Sequence, residues 1–138
     1  MPIKICTSMD EIPPGYFLAD CAVSGGSLRE YLQTALQTAE GRLCIHLRPT
    51  YMDFPLPCPD GKGQALNAEE LHQRYDGSPC HFSKPLCTEY FTYCREHTAH
   101  VVLFDSPESL RAKFQLLQEC GIPLALIDDQ SLRDALVH

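Results

Sequence analysis

The sequence predicts an α/β protein: an open parallel sheet with flanking helices and a small inserted antiparallel patch. Two patterns predict it. Short apolar runs alternate with helical spacing at both ends of the chain, as β-α-β units do. Between them, residues 79 to 105 are rich in aromatic and β-branched types separated by polar turns, which suits antiparallel strands. At 138 residues, with 44% apolar and 21% charged residues, the chain suits a single α/β domain over 1–138, with an insert-like region at about 48–105.

The elements follow in order. IKIC offers a first strand, and the DEIPPG turn separates it from YFLADCAV, residues 16 to 23, because paired prolines cannot continue a ladder. Gly25 and Gly26 break that strand, and Ser27 with Glu30 reads as a capping box that satisfies exposed N–H groups at a helix start. Leu28, Tyr31, Leu32, Ala35, Leu36 and Ala39 recur at helical spacing before Gly41. RLCIHL, 42 to 47, is the next strand. RPTYMDFPLPCPDGKGQ then holds four prolines and two glycines in 17 residues. It reads as a long loop, longer than most connections in a compact domain.

A short helix follows, with Asn67 and Glu70 as capping pair and Leu66 with Leu71 as hydrophobic staple, ending near Gly77. HFS, EYFTY and HVVLFD form the antiparallel patch, with CREHT as a polar turn. Ser106 caps a helix that has Pro107 at its first position, where the missing N–H costs nothing. Its buried stripe is Leu110, Phe114, Leu117 and Cys120, and Gly121 ends it. PLALID, 123 to 128, is a continuous apolar run of the sort buried in parallel sheets. SLRDALV closes the chain as a last turn of helix.

Charge and cysteine usage exclude several classes. With 18 acidic and 11 basic residues the net charge is -7, and no basic stripe offsets it, so nucleic acid is not an expected partner. No apolar run approaches the roughly 20 residues of a membrane span, and no secretory leader is visible at the start. A cytoplasmic protein is expected, with Met1 taken as an independent start. The eight cysteines are then reduced thiols, with Cys21, Cys44 and Cys120 as small buried hydrophobes.

Cys80, His81, Cys87, Cys94, His97 and His100 contain the residue types of a zinc site, but no C-x-x-C pair occurs and a polar hairpin is the better reading. No cysteine precedes a helix in the way an activated thiolate needs. Gly61-Lys62-Gly63 lacks the spacing of a phosphate loop. No metal and no cofactor is expected.

The C-terminal third, YFTYCREHTAHVVLFDSPESLRAKFQLLQECGIPLALIDD, resembles the end of family 18 glycoside hydrolases, the chitinase-like and spore-cortex-lytic TIM barrels. The likeness rests on Phe104, Asp105, Pro107, Glu108, Ser109, Lys113 and Gly121: an apolar strand ending in an aromatic and Asp, then P-E-S, a helix carrying Lys, and a Gly before the last barrel strand. The resemblance implies a partial TIM barrel, with the strands at 16 and 42 as its sixth and seventh units and residues 48 to 105 as an inserted subdomain. Two features of that family are missing. No D-x-x-D-x-D-x-E motif occurs, so the acid that protonates the glycosidic oxygen has no counterpart. The chain also has no tryptophan, so the sugar-stacking residue of the last strand is absent.

A closed barrel takes about 250 residues. The chain must therefore be an open sheet, a partial barrel completed by another copy, or a piece of a longer protein. Self-association is expected, as a homodimer, to cover exposed strand edges. If RLCIHL is a barrel-type strand, His46, Arg48, Tyr51, Asp53 and Phe54 emerge at its C-terminal end, the face where such folds place ligands. Asp20 and Asp128 join that face. These seven are the candidate ligand-binding residues, suited to a carbohydrate or small polar ligand; the competing reading is a rigid proline loop that plugs the sheet. The expected function is a non-catalytic binding or assembly module for a glycan or a partner chain. The alternative is a small hydrolase with an active site shared between two subunits.

Overall fold

The computed structural model describes residues 2–136 and contains two sheets. The first comprises β1 (Lys4–Cys6), β2 (Phe17–Asp20), β3 (Leu43–His46) and β9 (Leu124–Leu126), all parallel, in the order β1-β9-β3-β2. The second comprises β4 (Tyr51–Leu56), β5 (Gln64–Ala65), β6 (His81–Ser83), β7 (Thr88–Arg95) and β8 (Thr98–Phe104), antiparallel, in the order β5-β4-β8-β7-β6. It is inserted between β3 and β9. Four helices complete the chain: α1 (Leu28–Thr38), α2 (Ala68–Arg74), α3 (Pro107–Glu119) and α4 (Gln130–Leu136).

Residue alternation divides the parallel sheet into two faces. Leu43, Ile45, Leu47, Ala125 and Ile127 point to one side and pack with Leu28 and Leu32 of α1 and Leu110, Phe114 and Leu117 of α3. Cys6, Cys44, Leu124 and Leu126 point to the other. In an eight-stranded barrel the last strand pairs with the seventh and the first, and β9 pairs with β3 and β1. The ten residues 7–16 therefore run from one edge of the sheet to the other. They do so across the face opposite the helices, as a right-handed crossover in the reverse direction requires, and lay Ile12 and Tyr16 on Cys6, Cys44, Leu124 and Leu126. Ile12 and Tyr16 of the chain's own crossover thus pack on the surface that would line a barrel. Within this chain the parallel sheet is open, with β1 and β2 at its edges.

Several local expectations change. The strand expected over 16 to 23 is only four residues long and lies at an edge, with Phe17 59% and Leu18 41% exposed. Ser27 accepts from the Glu30 N–H at 3.4 Å, but the reciprocal half of the box is not formed. The long proline loop is largely sheet: β4 pairs along its length with β8, and β5 covers only Met52 and Asp53. Beyond Asp53 the second side of β4 is therefore free, and an edge is where Pro55 is tolerated. Asn67 and Ser106 form complete capping boxes. The turn between β7 and β8 has Glu96 and His97 both at positive φ, 51° and 66°, the tight hairpin turn whose twist matches its strands. Val137, expected in the last helix, lies outside the described residues.

Candidate functional site

A cleft of about 710 Å³ lies between the C-terminal ends of β2 and β3 and the inserted sheet. Such a volume is within the range of small-ligand sites. Its rim carries Asp20 and Arg48, joined by a 3.2 Å hydrogen bond and both half-exposed. Its walls come from Val23, Tyr51, Met52, Phe54, Leu66 and Leu103. Alternation along β4 turns Met52 and Phe54 toward the cleft. Residues 58–63 fold over its edge: Asp60 accepts the Lys62 N–H at 2.9 Å and the Cys58 thiol meets the Lys62 carbonyl at 3.2 Å. That turn holds Gly63 so close to Phe54 that a Cβ there would sit 2.6 Å from the ring.

Of the seven sequence-derived candidates, Asp20, Arg48, Tyr51 and Phe54 line this cleft. His46 and Asp128 sit together beside it at the ends of β3 and β9. His46 Nε2 is 3.3 Å from Asp128 Oδ2 but lacks the alignment of a hydrogen bond, and among the described residues no other group hydrogen-bonds it. Asp53 is elsewhere. Its side chain points to the opposite face of the inserted sheet, 4% exposed, where its carboxylate accepts from Arg74 Nε at 3.1 Å and from the Tyr93 hydroxyl and contacts His100 Nδ1 at 2.9 Å. Tyr93 and His100 stack with centroids 4.8 Å apart. This cluster ties α2 to the sheet; burial and the Asp53 carboxylate push the Tyr93 hydroxyl above its ordinary pKa.

Lys113, named from sequence only as one of the residues carrying the family likeness and not as a site residue, has its ammonium buried beside the cleft. It lies 2.9 Å from Asp105 Oδ1 and 3.0 Å from Oδ2. Asp105 also accepts from Ser109 Oγ at 2.7 Å, Thr88 Oγ1 at 3.3 Å and both the backbone N–H and the hydroxyl of Thr50 at 3.1 Å. One carboxylate thereby joins β4, β7, β8 and α3. The signal was present: Lys113 falls three residues after Leu110 and four before Leu117, on the buried stripe of α3. Nearby, burial pushes the Cys21 thiol up to about 12, so it is protonated and unreactive at neutral pH. All eight cysteines are unpaired. Among the described residues, no group of three or more His, Cys, Asp or Glu could hold a metal ion, and no helix is long and apolar enough to cross a membrane.

The two-sheet arrangement is similar in fold to part of the chitinase-like barrels. Solved structures give the particulars. The spore cortex-lytic enzyme SleL of Bacillus megaterium matches 89% of this chain at TM-score 0.59 and 18% identity, over 33% of its own length. SleL of Bacillus cereus matches 89% at TM-score 0.61 and 19% identity, over 34% of its length. A chitinase from Chromobacterium violaceum matches 89% at TM-score 0.61 and 16% identity, over 44% of its length. The chain thus spans less than half of each. At these identities the likeness is one of fold. No family model and no curated protein matches the sequence.

Proposed function

We propose that the chain is a non-catalytic binding module, folded as one domain, whose cleft takes a carbohydrate. One observation carries this: a cleft lies at the C-terminal ends of the strands, with apolar walls and a charged rim, in a chain without the D-x-x-D-x-D-x-E acid motif. An apolar wall packs the faces of sugar rings, and the Asp20–Arg48 pair offers both a donor and an acceptor to their hydroxyls. A cytoplasmic setting belongs to the same proposal and is supported by the eight unpaired thiols.

The chitinase among the structural neighbours suggests chitin oligosaccharides as first ligands. Titration calorimetry should show saturable binding without release of shorter sugars, and Arg48→Ala should weaken it about tenfold. Hydrolysis that vanishes in Asp20→Ala or Asp128→Ala overturns the non-catalytic reading and favours the hydrolase with a shared site.

Phe17 and Leu18, exposed on the free edge of β2, favour association with a second copy as a further part of the proposal. That edge is the surface such a contact would use, because Ile12 and Tyr16 already pack on the Cys6, Cys44, Leu124 and Leu126 face. Sedimentation should give a dimer that Phe17→Lys dissociates; a stable monomer at tens of micromolar overturns it.

A further inference from the structure

A second cavity, of about 250 Å³, lies between the first turns of α3 and the length of α4, beside the start of β4. Helical spacing builds both walls. Pro107, Leu110 and Arg111 share one face of α3 at i, i+3 and i+4, and Leu132, Ala135 and Leu136 share one face of α4 at the same intervals. Leu110 and Leu132 are buried and form the base, whereas Arg111 and Ala135 are exposed at the mouth. The position of α4 is fixed from its first turn: Asp129 Oδ1 accepts the Leu132 N–H at 3.2 Å, and Arg133 Nη1 donates to the Ile127 carbonyl at 2.6 Å.

Charge at this pocket is one-sided. The carboxylate that lines it, Asp105, is already engaged by Lys113, Ser109, Thr88 and Thr50. The acids of the two helices, Glu108, Glu119 and Asp134, do not line it. Arg111 does, and it enters none of the ion pairs among the described residues. We infer that the pocket binds a small carboxylic acid whose apolar body is about the size of one aromatic ring. The body packs on Leu110, Leu132 and Leu136, and the carboxylate pairs with the Arg111 guanidinium, whose fork of donors matches two carboxylate oxygens. Size supports a single ring: the pocket exceeds the roughly 150 Å³ that accepts benzene and falls below the roughly 300 Å³ at which drug-sized sites begin. The apolar base leaves the hydroxyls of a sugar few partners. The site is therefore separate from the cleft and does not depend on the carbohydrate reading.

The test is a titration of the full chain with phenylacetate, followed by proton–nitrogen NMR correlation spectra. Saturable shifts should appear at the Leu110, Leu132 and Ala135 amides. Phenylethanol, which has the ring without the charge, should bind about fivefold more weakly. Acetate, which has the charge without the ring, should give no saturable shift. Arg111→Gln should lower the affinity for phenylacetate to that for phenylethanol, and Ala135→Phe should abolish binding of both by filling the pocket. Both residues are exposed, so neither substitution removes core packing. No saturable shift with phenylacetate, or shifts that Ala135→Phe leaves unchanged, overturns the site. Equal affinity for phenylacetate and phenylethanol, or full phenylacetate affinity in Arg111→Gln, overturns the assignment of an acid as its ligand.

Discussion

Lys113 Nζ lies 2.9 Å from Asp105 Oδ1 with both side chains sealed from water, 1% and 0% exposed. The pair joins the helix that follows the insert to the strands that begin and end it, so the cleft's two walls share one electrostatic anchor. Removing one partner strands the other charge in a dry site. Lys113→Met should lose about 3–5 kcal/mol of unfolding free energy, measured by urea titration. Adding Asp105→Asn should recover part of that loss, since a neutral amide still accepts from Thr50 and Ser109.

Asp53 separates stability from binding. Asp53→Ala leaves Arg74, Tyr93 and His100 without their shared acceptor and should cost about 3 kcal/mol. Oligosaccharide affinity of the folded fraction should stay within about twofold, because the carboxylate points away from the cleft. A large loss of affinity at unchanged stability would contradict this assignment.

Gly63 is defined by its neighbours. A Cβ at this position would meet Phe54 Cε1 at 2.6 Å and the Asp53 carbonyl at 2.9 Å. Neither can yield cheaply, one being backbone and the other a buried ring. Gly63→Ala should destabilise by about 1–3 kcal/mol, read as a lower thermal midpoint, whereas Gly25→Ala, with open space around it, should change little.

The buried thiols set an alkaline limit. Burial pushes Cys21 up to about 12 and Cys44 up to about 11, from 9.0. The unfolded chain releases these protons first, so stability is complete below pH 9 and falls as the pH rises from there toward the folded values. Urea midpoints measured between pH 8 and pH 11 should decline, and Cys21→Ala should show a shallower decline than the unaltered chain.

Much of the fold was legible in the sequence because its signals are local. Ser106, Pro107 and the Leu110, Phe114, Leu117 stripe specify α3 within one segment, and PLALID could only be a buried strand. β4 was hidden for a comparable reason: its four nearby prolines are local breaking signals, and only pairing with the distant β8 makes Tyr51 to Leu56 a strand. Asp53 was misplaced by the same omission, since a residue's face on a strand is fixed by the strand's existence and register.

By itself the sequence determined the elements, the likeness to a chitinase-like barrel, the missing acid motif and four of the residues that line the cleft. The tertiary structure alone decided that Ile12 and Tyr16 pack on the face a barrel would enclose, that Lys113 and Asp105 bind the insert to the sheet, and that α3 and α4 leave a pocket between them beside Arg111. The reason lies in the range of the forces. Capping, helical periodicity and turn chemistry act within a few residues and are written in the order of the chain, whereas a crossover, a buried ion pair and a strand register depend on residues brought together from far apart.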